Sequence, residues 1–154
     1  MRVFCAASLS LLALTAGCAA PIRLPGSFVE LRDAGEGFRA VTSDDARVWV
    51  RRIYEPTSGD VSFWAETLKK DFVDERGYQF VAEGDAVKEG GDGGRWLEVT
   101  ANVGGRRVDY LIAVWVEPAT FAGGDWLQVV EFAAEHEVYA RRVDAVKVAL
   151  ATLR

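Results

Sequence analysis

Two long β-rich segments joined by a Gly-Gly pair constrain this fold more than any other feature of the sequence. Residues 95–103 and 106–117 are rich in β-branched and aromatic side chains, and Gly104 and Gly105 separate them. A two-residue hairpin turn of the common type requires positive φ angles, which glycine adopts without steric cost. The pattern therefore predicts an antiparallel β-hairpin.

Two amphipathic helices are predicted, one in the middle of the chain and one at its end. Residues 61–76 carry apolar side chains at helical spacing, with Asp60 placed to cap the first turn and Gly77 to follow the last. Residues 135–153 show the same periodicity. The apolar positions of the two helices are Val61, Trp64, Leu68 and Phe72, and then Tyr139, Val143, Val146, Leu150 and Leu153.

Strands precede and follow the first helix. Further strands are predicted over residues 27–32, 37–42, 46–54, 78–81 and 126–134. The glycine-rich residues 84–94 are expected to form a loop or hairpin with one short strand at most. The order strands, helix, strands, helix predicts an α+β fold, an antiparallel β-sheet with two long helices packed on it.

Size and charge limit the classes of protein to which the chain can belong. It has 154 residues, half of them hydrophobic, which suits one domain with a substantial core. Its 23 acidic residues outnumber its 18 basic ones. Because an acidic chain without a basic cluster lacks the surface charge that nucleic acid requires, we expect no nucleic-acid partner.

The first 17 residues have the features of a secretion signal. Arg2 precedes an apolar run over residues 3–14, and small residues follow that run. The stretch from Leu14 to Cys18 resembles the lipobox of bacterial lipoproteins, in which the cysteine is lipidated and becomes the new N-terminus. The resemblance implies that Cys18 carries acyl chains such as palmitate, and Ala19 after it favours the outer membrane. The alternative is an ordinary signal peptide with a chance cysteine.

These features divide the chain into three segments. Residues 1–17 are the signal peptide, residues 18–26 are the lipidated cysteine and a short proline-containing tether, and residues 27–154 are a single α+β domain. Cys5 is lost with the signal and Cys18 is acylated, so no internal disulfide is expected. Eight extended residues reach about 28 Å at most, which keeps the domain close to the membrane.

Several short patterns in the predicted domain resemble the Mog1/PsbP-like domains of bacterial lipoproteins. They are Phe63-Trp64-Ala65-Glu66 at the start of the first helix, Arg76-Gly77-Tyr78 at its end, the strand from Tyr110 to Glu117, and Val129-Val130-Glu131 before the last helix. The resemblance covers residue 27 to the end of the chain. It implies an α/β/α sandwich around an antiparallel sheet and a role as a binding or assembly module, and it brings no fixed site motif.

No motif in the sequence indicates catalysis, a metal or a cofactor. His136 is the only histidine, and Ala140 stands where a metalloprotease helix would carry its second histidine, so His136 is expected to be a solvated first-turn residue. The glycine run over residues 90–94 precedes a strand instead of opening a helix, which favours a hairpin connection over a phosphate loop. We therefore assign no catalytic, metal-binding or cofactor-binding residue.

Three tryptophans are the candidate binding residues. Trp49, Trp96 and Trp115 each share a predicted strand face with charged side chains. Large aromatic side chains on polar faces can mark a binding patch. The alternative is that the second helix covers that face and buries them in the core.

Together these features predict a lipoprotein anchored to the outer membrane by Cys18 and facing the periplasm. Its domain is expected to be a non-catalytic binding or assembly module of the cell envelope, with an envelope protein, a peptide or an apolar ligand as its partner. The alternative is an envelope hydrolase that uses two carboxylates, because acidic side chains are many. A shallow aromatic patch would favour the binding module, and a deep pocket with converging buried acids would favour the hydrolase.

Overall fold

The computed structural model describes residues 20–32, 35–119 and 123–154, which form an antiparallel sheet with one α-helix on each face. This arrangement confirms the predicted α+β class. The strands are β1 Val29–Glu30, β2 Phe38–Val41, β3 Arg47–Glu55, β4 Gln79–Val87, β5 Gly93–Val103, β6 Arg106–Pro118 and β7 Asp125–Glu135, and the helices are α1 Val61–Lys70 and α2 His136–Leu150. The signal segment and Cys18 lie outside the described residues.

The strands are ordered β1-β2-β3-β7-β6-β5-β4, and every neighbouring pair is antiparallel. The predicted hairpin is confirmed, since Val103 pairs with Arg106 and both turn glycines have positive φ. Strand β7 joins the two halves of the sheet because it pairs with β3 on one side and β6 on the other. The three longest strands, β5, β6 and β7, are neighbours in the middle of the sheet, where helices can cover both faces.

Strand β4 is longer than the sequence predicts. It continues through Gly84 to Val87, and the expected loop over residues 84–94 shrinks to a turn over residues 88–92. Gly84 pairs with Trp96, and a Cβ at Gly84 would lie 2.6 Å from the Trp96 ring. The glycine accordingly makes room for the indole instead of ending the strand.

Helix α1 begins and ends where the sequence predicts. The Asp60 carboxylate accepts a hydrogen bond from the Phe63 amide at 2.7 Å, which caps the first turn. The helix continues into a π-helical turn, Asp71–Glu75, and Gly77 follows with φ of 71°. Trp64 and Phe72 are buried against apolar side chains of β5, β6 and β7.

Helix α2 closes the opposite face of the sheet. Tyr139, Val146 and Leu150 are buried against β6 and β7, and the Tyr139 ring stacks on Phe132 with centroids 5.1 Å apart. The predicted apolar stripe of the helix is therefore confirmed. In the part of the chain that is described, neither helix is long and apolar enough to cross a membrane.

Residues 21–24 pack on the domain, whereas the sequence predicted a short proline-containing tether over residues 18–26, outside the domain. The Ile22 side chain is only 1% exposed and belongs to the core beneath α2. The Arg154 amide donates to the Pro21 carbonyl at 2.9 Å, and the Arg23 amide donates to the Thr152 hydroxyl at 2.8 Å. The packed domain thus begins by residue 21 instead of residue 27, because α2 leaves core surface that Ile22 fills.

Candidate functional site

An open groove of about 550 Å³ lies beside α1, over β2, β3 and the second half of β7. Helix α1 packs over β5, β6 and β7 and falls short of β2 and the first half of β3 on this face. Strand residues exposed by this shortfall line the groove. The side chains that define it are Leu31, Arg39, Arg47, Trp49, Tyr110 and Glu131.

Trp49 is the centre of the groove and its position is held by several contacts. Strand register places Arg39, Trp49 and Glu131 side by side on β2, β3 and β7. The Arg39 and Arg51 guanidinium carbons lie 4.4 and 4.0 Å from the Trp49 ring centroid. The indole nitrogen donates to the Glu36 carbonyl at 3.1 Å. Because stacking and hydrogen bonding act together, the ring is presented in a fixed orientation.

Among the described residues, the charges of the groove leave one guanidinium without a counter-ion. Arg51 forms an ion pair with Glu131, and Arg47 pairs with Asp45 at 2.9 Å. Arg39 forms no ion pair with any residue that the structure describes, and its buried Nε, like that of Arg51, has no hydrogen-bond partner there. A guanidinium without a carboxylate partner favours a ligand that presents an anionic group to it. The groove is therefore suited to a ligand with an anionic group.

Tyr110 forms the wall of the groove nearest α1. Its ring lies 5.3 Å from that of Tyr78, and burial together with the Tyr78 hydroxyl raises the pKa of Tyr110 to about 12. The phenol consequently stays neutral at any physiological pH. This wall adds apolar surface and no charge to the groove.

The three candidate tryptophans do not come together in the structure. Trp49 lies on the face of α1, whereas Trp96 and Trp115 lie on the face of α2. Trp115 is 1% exposed and is a core residue. Trp96 is partly buried, with the Lys147 ammonium 3.9 Å from its ring centroid. A single patch of all three is incompatible with this placement, because successive strand positions point to opposite faces and the register decides which.

His136 has a charged partner that the sequence did not indicate. Its Nδ1 lies 2.6 Å from Oδ2 of Asp109, a buried carboxylate that also accepts from Arg107 Nε at 3.0 Å. Burial opposes ionisation of Asp109, yet hydrogen bonds from Thr100, His136 and Arg107 hold its pKa below the usual value. Half of the His136 side chain is exposed, so the prediction of a solvated residue is only partly met.

The Asp109–His136 pair resembles the part of a hydrolytic site that orients an imidazole, but it has no nucleophile. Within the described ranges, no serine, threonine or cysteine side chain hydrogen-bonds the other ring nitrogen of His136. The pair instead joins the first residue of α2 to β6. No local pattern of the sequence indicated that α2 begins directly above Asp109.

The other buried carboxylates are also engaged in structural contacts. Asp125 accepts from the Gly59 amide at 2.7 Å and lies 3.3 Å from the Trp64 indole nitrogen, which fixes the start of α1. Glu98 accepts from the Tyr139 hydroxyl at 2.9 Å and forms an ion pair with Lys147. Asp125 lies on the α1 face and Glu98 on the α2 face. Glu98 shares its face with Asp109, but both carboxylates are held by basic or hydroxyl partners from neighbouring elements.

The fold is similar to that of LpqN, a protein involved in cell envelope biogenesis of Mycobacterium tuberculosis. The two structures agree with a TM-score of 0.64 over 83% of this chain and 78% of that one, at 14% sequence identity. At that identity the likeness concerns the fold alone. The chain matches no protein-family model, and it matches no curated protein.

Proposed function

We propose that this protein is a lipoprotein of the bacterial cell envelope, anchored to the outer membrane through acylated Cys18 and facing the periplasm. The apolar run over residues 3–14 and the lipobox-like stretch ending in Cys18 support the anchor. The likeness to LpqN and the resemblance to Mog1/PsbP-like domains are consistent with a protein of the envelope. A pair of acyl chains holds a protein firmly where a single chain does not.

The domain acts in this proposal as a non-catalytic binding module whose site is the groove around Trp49. The observation that carries it is Arg39, a guanidinium stacked on Trp49 without a counter-ion among the described residues. Apolar side chains, Leu31 and Val41 among them, lie beside these residues. The ligand that matches is an envelope protein segment or peptide that presents a carboxylate to Arg39 and an apolar side chain to Trp49.

The anchor is tested by the substitution Cys18→Ala. Membranes from cells that express the parent or the variant are washed with salt and with carbonate, and the protein in each fraction is measured. The parent is expected to stay with the membranes and the variant to move to the soluble fraction, since no acyl chain remains. A variant that resists both washes would show that Cys18 is not the anchor.

The groove is tested by purifying the lipidated protein from its own membranes together with its partner. The parent is compared with Arg39→Ala and with Lys70→Ala, which removes an exposed positive charge on α1 outside the groove. A partner retained by the parent and by Lys70→Ala but lost by Arg39→Ala supports the proposed site. Retention of the same partner by all three proteins would place its binding elsewhere.

A further inference from the structure

We infer that one end of the sheet, carrying the turn over residues 88–92 and the C-terminus, rests against the lipid surface, while the groove opens away from it. We call this region the anchor end. The inference rests on the proposed acylation of Cys18. It adds an orientation of the domain on the membrane, which the anchor alone does not determine.

The first step is that the chain enters the domain at a fixed point. The Pro21 carbonyl accepts from the last residue, Arg154, at 2.9 Å, and Ile22 is fully buried. The Arg23 side chain pairs with Glu89 in the turn over residues 88–92 at 2.7 Å. The entry point is thus tied to both the C-terminus and this turn.

The second step is that the same end of the sheet is tied together by further hydrogen bonds. The Glu89 amide donates to the Ala151 carbonyl at 2.6 Å. The Gln128 side chain bridges the Lys88 ammonium and the Arg154 carbonyl. Residues 21–23, the turn over residues 88–92 and residues 151–154 are therefore held together by hydrogen bonds.

The third step is the length of chain between the lipid and the entry point. Cys18 precedes Pro21 by three residues, which span about 11 Å when fully extended. Acyl chains on Cys18 lie in the bilayer, so the anchor end stays within about that distance of the headgroups. A tether so short cannot let the domain turn its opposite end towards the membrane.

The charge of the anchor end indicates that the tether, and not electrostatic attraction, holds it there. Arg23 pairs with Glu89 and Lys88 with Glu117, and the charges of Arg154 and Asp92 are opposite, so no basic excess results. A membrane-binding surface driven by charge would carry a cluster of basic side chains. We therefore expect the orientation to be insensitive to salt.

The groove lies far from the anchor end on the other face. Glu55 and Asp125 pair at the anchor end of β3 and β7. Trp49 precedes Glu55 by six residues, which corresponds to about 20 Å along the strand. Since Ile22 packs on the α2 face and Trp49 lies on the α1 face, a ligand in the periplasm can reach the groove without displacing lipid.

The two ends of β5 provide a test. Asp92→Cys places a thiol at the anchor end, and Val103→Cys places one at the other end, about 35 Å away. Both positions are exposed, Val103 by 50%. With Cys18 acylated and Cys5 removed with the signal, the introduced thiol is the one that a fluorescent maleimide labels. The lipidated proteins are then reconstituted in phosphatidylcholine vesicles with a headgroup spin-labelled lipid.

We expect the spin label to quench the dye at residue 92 at least threefold more than the dye at residue 103, with or without 0.5 M salt. A matched control inserts twelve Gly and Ser residues between Ala20 and Pro21, which should remove most of the difference. Vesicle flotation distinguishes a failure of the proposed anchor at Cys18 from a failure of the proposed orientation. Proteins that float but show equal quenching at both positions overturn the orientation alone, whereas proteins that do not float overturn the anchor and the orientation together.

Discussion

The two faces of the sheet are built from the same alternating strands but are covered to different extents. On one face, α2 and residues 21–24 cover the strands together, and Trp115, Phe132 and Ile22 are fully buried. On the other face, α1 covers mainly β5, β6 and β7, and the groove around Trp49 stays open. The difference shows that the number and length of the covering segments decide whether a strand side chain becomes core or binding surface.

The sharpest test of this comparison uses one tryptophan from each face. We expect Trp115→Ala to lower the free energy of unfolding by about 3 to 5 kcal/mol, because it leaves a large cavity under α2. Trp49→Ala should cost about 1 kcal/mol, since the ring is stacked on two guanidiniums at an open groove. Urea denaturation of the mature chain with Cys18→Ala measures both. Equal losses for the two variants would contradict the proposed difference between the faces.

Helix α2 offers a second comparison within a single element. Leu150 is 2% exposed and Val148 is 74% exposed, although the two residues lie only two positions apart. Leu150→Ala should cost about 2 to 5 kcal/mol, and Val148→Ala less than about 0.5 kcal/mol. The same denaturation experiment applies. If Leu150→Ala has the same urea midpoint as the parent, α2 does not cover the core and is instead a docking element for a partner.

The N-terminal segment is tested through Ile22. We expect Ile22→Ala to cost about 2 kcal/mol, the low end of the range for a buried isoleucine, because a segment near the end of the domain can relax around the cavity. Arg23→Ala is the matched control, since its exposed ion pair with Glu89 should contribute less than about 1 kcal/mol. If both variants unfold at the parent's urea midpoint, residues 21–24 do not help to cover the α2 face.

The smallest effect is the pH dependence from Asp109. Its pKa is lowered in the folded state, so its contribution to stability is complete above the unfolded-state value and is lost as the pH falls through the folded-state value. Below about pH 4, we expect the parent to lose stability more steeply than Asp109→Asn. Asp144→Asn, at an exposed position on α2, serves as the control and should follow the parent. Identical acid slopes for the parent and Asp109→Asn would rule out this contribution.

Local signals predicted much of the fold. The Gly104-Gly105 turn, the Asp60 cap, Gly77 and the apolar stripes of both helices all lie where the sequence places them. Each depends on residues close in sequence, whose geometry is set by short-range sterics and hydrogen bonds. The extent of β4 was wrong because Gly84 acts through a cross-strand contact with Trp96, which no local pattern reveals.

The candidate site was less predictable than the fold. Trp49 was among the residues singled out, but Arg39, which makes the groove suitable for an anion, was not. Lys147 of the last helix pairs with Glu98 and contacts Trp96, and no local pattern of the sequence indicated either partner. In both cases the residues in contact lie ten or more positions apart in the sequence, and their proximity follows from strand order and helix docking.

By itself, the sequence determined most of the secondary structure, the α+β class and the apolar residues available for a core, because helical and strand periodicity and turn sterics operate over a few residues. The tertiary structure alone decided which face each tryptophan occupies, that Ile22 belongs to the core, and that Arg39 has no counter-ion among the described residues. These properties depend on the register of β7 between β3 and β6 and on how far each helix reaches across the sheet. Burial and charge pairing are set by such long-range contacts, which no short stretch of the sequence contains.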